Sequence, residues 1–169
     1  MLEATDLNNL QTIAISAGLG GLLGLEREFA RKPAGIRTHI FVCAGATLMM
    51  LLAQEVVDQF QQREADSMLN TDPIRVLQAI VVGISFLGAG TIVHQKGEEV
   101  EGLTTAASIF LTAGIGVAVA VGRTELATVV TVAAVFVLLV IGFIEHRLMR
   151  WFHRNDMPPH PDDKRTDRG

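Results

Sequence analysis

Five windows free of Asp, Glu, Lys and Arg constrain this chain more than any other feature of it: 7–25, 38–54, 76–95, 102–122 and 126–144. Each is close to the roughly 20 apolar residues that an α-helix, rising about 1.5 Å per residue, needs to cross about 30 Å of hydrocarbon. A water-soluble fold can bury one such helix. Five in series, in a chain of 169 residues that is 49% hydrophobic, leave too little polar surface to cover them. Lipid offers backbone N–H and C=O groups no partners, so a spanning segment must be a helix or part of a closed barrel, and the ten-residue alternation of a barrel is absent. The expected fold class is therefore an all-α integral membrane protein, a bundle of five transmembrane helices over about 7–25, 38–54, 73–94, 103–122 and 125–144. Residues 1–145 form the membrane domain, and 146–169 a cytoplasmic interfacial segment followed by a disordered tail.

The cations suggest an orientation. Lys and Arg near helix ends favour the cytoplasmic side. An outside N-terminus places Arg27, Arg31, Lys32, Arg37, Lys96 and the six Lys and Arg residues after 146 inside, leaving only Arg63, Arg75 and Arg123 outside. The first apolar run lacks a basic leader, which argues against a cleaved signal peptide. A net charge of −4 argues against nucleic acid as a partner. Cys43, the lone cysteine, lies inside an apolar run and is expected to pack as a small apolar side chain. The tail, with Pro158, Pro159 and Pro161, is polar, and the segment before it mixes Arg147, Arg150 and Arg154 with Trp151 and Phe152, as suits a membrane interface.

Helices in lipid associate without a hydrophobic driving force, so small residues that let backbones approach point to the packed faces. Gly20 and Gly24 on helix one, Gly83, Gly88 and Gly90 on helix three, and Gly114 and Gly116 on helix four mark these three helices as the expected centre. Helix five, rich in bulky aliphatics, is expected to face lipid. The stretch 85–108 has the glycines and β-branched residues of a short hairpin between helices three and four, which would make a vestibule, or else of an ordinary loop.

Chemistry concentrates in GLEREFARKPAGIRTH, residues 24–39, which packs six charged residues and a histidine between two apolar runs. Successive residues on a helix point about 100° apart, so Glu26, Arg27 and Glu28 cannot all face the same water. At least one must turn toward the bundle, and a buried charge there needs a partner. Arg37 is the expected one for Glu26 or Glu28. The two carboxylates could instead bind Mg²⁺, which takes oxygen ligands and keeps several waters. Thr104 and Thr105 stand where helix four begins and read as N-caps. Asp72 before Pro73 reads the same way, and Arg75 as an anchor at the outer interface. No zinc spacing, phosphate loop or nucleophile triad is present, which argues against an enzyme.

Three blocks, GLEREFARKPAGIRTHIFVCAGA, DPIRVLQAIVVGISFLGAG and VEGLTTAASIFLTAGIGVAVAVG, resemble in order and spacing the signatures of the MgtC/SapB membrane proteins across roughly residues 10–143. The resemblance implies a bacterial inner-membrane, multi-pass protein of about five spans, non-enzymatic and linked to growth when magnesium is scarce. It would act either as a regulator of other inner-membrane proteins or as a transporter of Mg²⁺ or another solute, alone or as a homo-oligomer. It assigns motif roles to Glu26, Arg27, Glu28, Arg37, Thr38 and His39, to Asp72, Arg75, Gly83, Gly88 and Gly90, and to Thr104 and Thr105. Some members carry a further soluble domain after the last helix, where this sequence has its short polar tail.

Overall fold

A computed structural model describes residues 4–63, 73–92 and 102–155. They form five helices: α1 (Ala4–Phe29), α2 (Ile36–Arg63), α3 (Pro73–Thr91), α4 (Leu103–Ala120) and α5 (Thr124–Asn155). Ile36–Gln59, Ile74–Thr91, Leu103–Ala120 and Thr124–Ile144 are each long and apolar enough to cross a membrane. The 26-residue α1 is long enough, but Asn8, Asn9 and Gln11 near its start make it less apolar than these four. The hairpin expected between helices three and four falls on 93–101, and the disordered tail on 156–169, both outside the described residues. The expected interfacial segment from residue 146 onward is a continuation of α5 as far as Asn155.

Contacts fix the helix directions. Gly20 meets His39 and Cys43, whereas Gly24 meets Ile36 and His39, so α1 and α2 are antiparallel. His39 bonds to Ser108 and Thr47 to Gly116, which makes α2 and α4 parallel. Gly88 lies against Ala106, while Leu77 and Ile80 share a depression with Ala113 and Val117, so α3 opposes α4. A tight turn reverses the chain into α5. Consequently α1, α3 and α5 point one way, and the C-terminal ends of α1 and α5 share one end of the bundle with the start of α2.

Two of the turns have the same construction. At the end of α4, Gly122 N–H donates to Val119 O at 3.1 Å and Arg123 N–H to Ala118 O at 2.8 Å, with Gly122 at φ 77°. This is a Schellman closure, in which a left-handed residue lets two late amides satisfy orphan carbonyls. At the end of α1, Arg31 N–H donates to Glu28 O and Lys32 N–H to Arg27 O, both at 3.0 Å. Here the left-handed residue is Arg31, at φ 55°, a conformation that costs a residue with a Cβ roughly 1–2 kcal/mol.

The centre of the bundle differs from the expected one. α4 touches all four other helices, and α2 rather than α3 is its main companion. Burial confirms the ranking: 44% of the α4 span is buried and 28% of α2, but only 11% of α3 and of α5. Small residues were a sound guide on α1 and misleading on α3. A Cβ on Gly20 would sit 2.6 Å from Cys43 Cβ and from His39 O, and one on Gly24 would sit 2.7 Å from Ile36 Cα. One on Gly116 would collide with the Cys43 carbonyl. Gly88 makes an ordinary contact, 3.5 Å from Ala106 Cβ, while Gly83, Gly90 and Gly114 have nothing within 4 Å. Those three are corrected from packing positions within this chain to open ones, because glycine content does not say which face a neighbour occupies.

Around these approaches Leu23, Cys43, Ile115 and Ala127 form one apolar cluster, and Val42, Ala46, Ile80 and Ile109 belong to another. Cys43 is fully buried there as an apolar side chain. Gly116→Ala should lower stability by about 1–3 kcal/mol, the usual cost of forcing atoms into a filled core. Gly114→Ala should change it by less than about 0.5 kcal/mol, as expected for a surface change. Thermal unfolding of the detergent-solubilised protein compares the two, and equal losses would contradict this packing.

Candidate functional site

Among the described residues a buried polar cluster lies inside the bundle, at the end where α1 finishes and α2 starts. It follows directly from the close approach at Gly20 and Gly24, which brings the last turns of α1 against the first turns of α2. Arg27 is 4% exposed and the Glu26 side chain 8%. Arg27 Nε donates to one carboxylate oxygen of Glu26 at 2.5 Å, and Nη2 to the other at 2.9 Å. Such two-pronged, charge-assisted pairs are the strong ones, and Arg27 also sits favourably in the last turn of α1, at the negative end of its dipole.

His39, one turn into α2, has no exposed surface. Its Nδ1 lies 2.9 Å from Gly35 O. A carbonyl only accepts, so Nδ1 carries the donated proton. Its Nε2 lies 3.2 Å from Ser108 Oγ on α4, and that hydroxyl lies 2.8 Å from Thr105 O. In the neutral imidazole Nε2 is an acceptor, so Nε2 and the Thr105 carbonyl share the one Ser108 hydrogen. Further along the bundle the buried hydroxyls serve the backbone: Thr47 reaches Cys43 O and Gly116 O, Thr112 reaches Ser108 O, and Thr131 reaches Ala127 O.

Several expected roles change. Arg37 is exposed and does not pair with Glu26; the neighbouring Arg27 does, because its long side chain reaches back along α1. Glu28 is exposed and accepts the Ile36 N–H at 3.0 Å, which caps the start of α2. Both Glu26 oxygens accept from Arg27, and Glu28 is turned to α2. Among the described residues no group of three or more His, Cys, Asp or Glu could hold a metal. Thr104 and Thr105 are helical residues rather than caps. Gly102 occupies the cap position at φ 93° without a side-chain bond, and a Cβ there would collide with the Thr91 carbonyl. Thr105 is buried and Thr104 exposed, Thr38 is half-buried and Arg75 exposed; Asp72 lies outside the described residues. Ser108 escaped notice as a site residue because its partner His39 is 69 positions away, and spacing carries no signal at that range.

Two grooves flank α5. One, of about 590 Å³, runs between α1 and α5 past Glu26, Phe29, Val135 and Phe143. The other, of about 410 Å³, lies between α4 and α5 and reaches Thr104 and Ser108, and Leu138 lines both.

The sequence profile of the MgtC family matches residues 13–147, a span that takes in all of this geometry. The chain belongs to the MgtC family. It is 39% identical over 146 residues to Protein MgtC of Brucella abortus (strain 2308), covering 82% of this chain and 56% of that one. To Protein SapB of Bacillus subtilis (strain 168) it is 30% identical over 139 residues, 82% of this chain and 57% of the other. To YhiD of Escherichia coli (strain K12), whose name proposes magnesium transport, it is 35% identical over 129 residues, 76% and 58%. The chain thus spans a little over half the length of these MgtC relatives. No solved structure matches it. The family match and the apolar helices make it a multi-pass membrane protein in contact with lipid.

Removing one member of the buried pair strands the other. Arg27→Gln should cost about 3 kcal/mol, the usual result of leaving a buried charge unpaired. Adding Glu26→Gln to that variant should recover part of the loss. A double-mutant cycle on denaturant unfolding in detergent measures the coupling. Additive losses would show that the two side chains do not depend on one another.

Proposed function

We propose that this MgtC-family protein is a non-enzymatic component of the bacterial inner membrane that serves adaptation to scarce magnesium by regulating other membrane proteins through helix contacts within the bilayer. The observation that carries this reading is the saturation of the interior polar groups among the described residues. Glu26 is committed to Arg27, His39 to Gly35 and Ser108, and the deeper hydroxyls to backbone carbonyls. A hydrated cation in transit needs oxygen ligands that can be released to it, and these are already satisfied. The exterior offers the opposite. Phe86 on α3 is 85% exposed, and Val82, Phe136 and Leu139 also point outward, so α3 and α5 present broad apolar faces to lipid or to another helix.

The name carried by the Escherichia coli relative favours a second reading, a small transporter for Mg²⁺ or another solute. Reconstituted vesicles separate the two. The regulatory reading expects Mg²⁺ flux no faster than in protein-free vesicles, together with crosslinking to a specific membrane protein in cells starved of magnesium from a photoreactive residue at position 86. Flux that depends on the protein and falls in Glu26→Gln would overturn it in favour of transport.

A further inference from the structure

The groove between α1 and α5 changes character along its length. Through most of its course it is walled by Leu22, Leu25, Val132, Val135 and Leu139, the last three within the apolar Thr124–Ile144 span. At one end it closes on Phe29, Ala30, Gly142 and Phe143. That is the end where α1 finishes and α5 runs on beyond it, and exposed cations follow on both helices. Arg31 and Lys32 follow directly after Ala30, and both are exposed. Arg147 is one turn beyond Phe143 on the same face of α5, exposed, with its guanidinium 5.8 Å from the centre of the Phe143 ring. The one acid in the wall, Glu26, is neutralised by Arg27.

We infer that this groove holds one phospholipid with an anionic headgroup, its acyl chain along the α1 and α5 walls and its phosphate facing Arg31, Lys32 and Arg147. Charge complementarity selects this occupant. A second copy or a partner helix would fill the apolar trough but would bring no anionic group of its own to the three exposed cations beside it. A volume of about 590 Å³ lies within the roughly 300–1,000 Å³ usual for ligand sites. Basic pockets between helices at the cytoplasmic level are a recognised way to hold acidic headgroups, and each Lys or Arg there adds appreciably to the attraction.

Native mass spectrometry of the full chain in detergent, titrated with equal amounts of phosphatidylglycerol and phosphatidylcholine carrying the same acyl chains, tests this. Phosphatidylglycerol should be retained about tenfold or more over phosphatidylcholine, because three cations attract a phosphate whose charge no choline offsets. The combined change Arg31→Gln, Lys32→Gln and Arg147→Gln should abolish the preference. Arg37→Gln, which removes an exposed cation from the α2 side of the same end, should leave it intact. Leu139→Trp, which fills the trough, should remove the bound lipid of either kind, and inorganic phosphate alone should give no bound species. Equal retention of the two lipids in the unaltered chain would overturn the inference. So would loss of the preference in Arg37→Gln, which would make it an effect of general surface charge, and so would crosslinking of Val132→Cys to a second copy or another protein in place of bound lipid.

Discussion

The backbone of α2 is approached from both sides at distances only glycine allows. α1 meets it at Gly20 and Gly24, and α4 meets it at Gly116, where a Cβ would collide with the Cys43 carbonyl. In lipid the apolar surface of a helix gains little by leaving its surroundings, so dispersion contacts of this kind, multiplied over close-packed backbones, take the place of the hydrophobic effect. Thr47 adds a bond from its hydroxyl to the Gly116 carbonyl across the same interface. The three-helix unit of α1, α2 and α4 is the part of the molecule on which the rest hangs, with α3 and α5 attached to its flanks.

That close approach also creates the polar cluster. Because α1 and α2 touch so near their connecting turn, Arg27 and His39 are carried inside with no water to solvate them. A buried ion pair is not a source of stability in itself, since desolvation offsets much of the attraction. What it does is fix geometry: the pair is satisfied in one arrangement of α1, while His39, through Ser108, fixes α4 against α2. Losing any one of these partners leaves another polar group stranded in an apolar setting. The cluster therefore couples the turn at residues 30–35, whose first four residues are exposed at the end of the bundle, to the position of α4 in its middle.

Much of the fold was legible from the chain alone, because charge and hydropathy are local properties. The reading of GLEREF as a place where a charge must turn inward was right in kind: Arg27 is that residue. The ion pair was expected to join Arg37 to Glu26 or Glu28 across the turn and instead joins Glu26 to Arg27 beside it, a matter of side-chain reach that helical spacing does not encode. The glycines of α3 show the same limit. Gly83 and Gly90 have the composition of a packed face and no neighbour within 4 Å, whereas Cys43 and Thr47 on α2, unremarkable in sequence, occupy the real one.

The sequence by itself determined the solvent and the helical class, since each follows from the run of side chains within one segment and the need to satisfy every backbone group there. Only the tertiary structure decided which helix is central, which carboxylate Arg27 meets and that His39 reaches Ser108. The physical reason is that these depend on rotation of one helix against another, a degree of freedom that hydropathy in a lipid solvent leaves nearly unweighted and that a few atomic contacts between distant residues then settle.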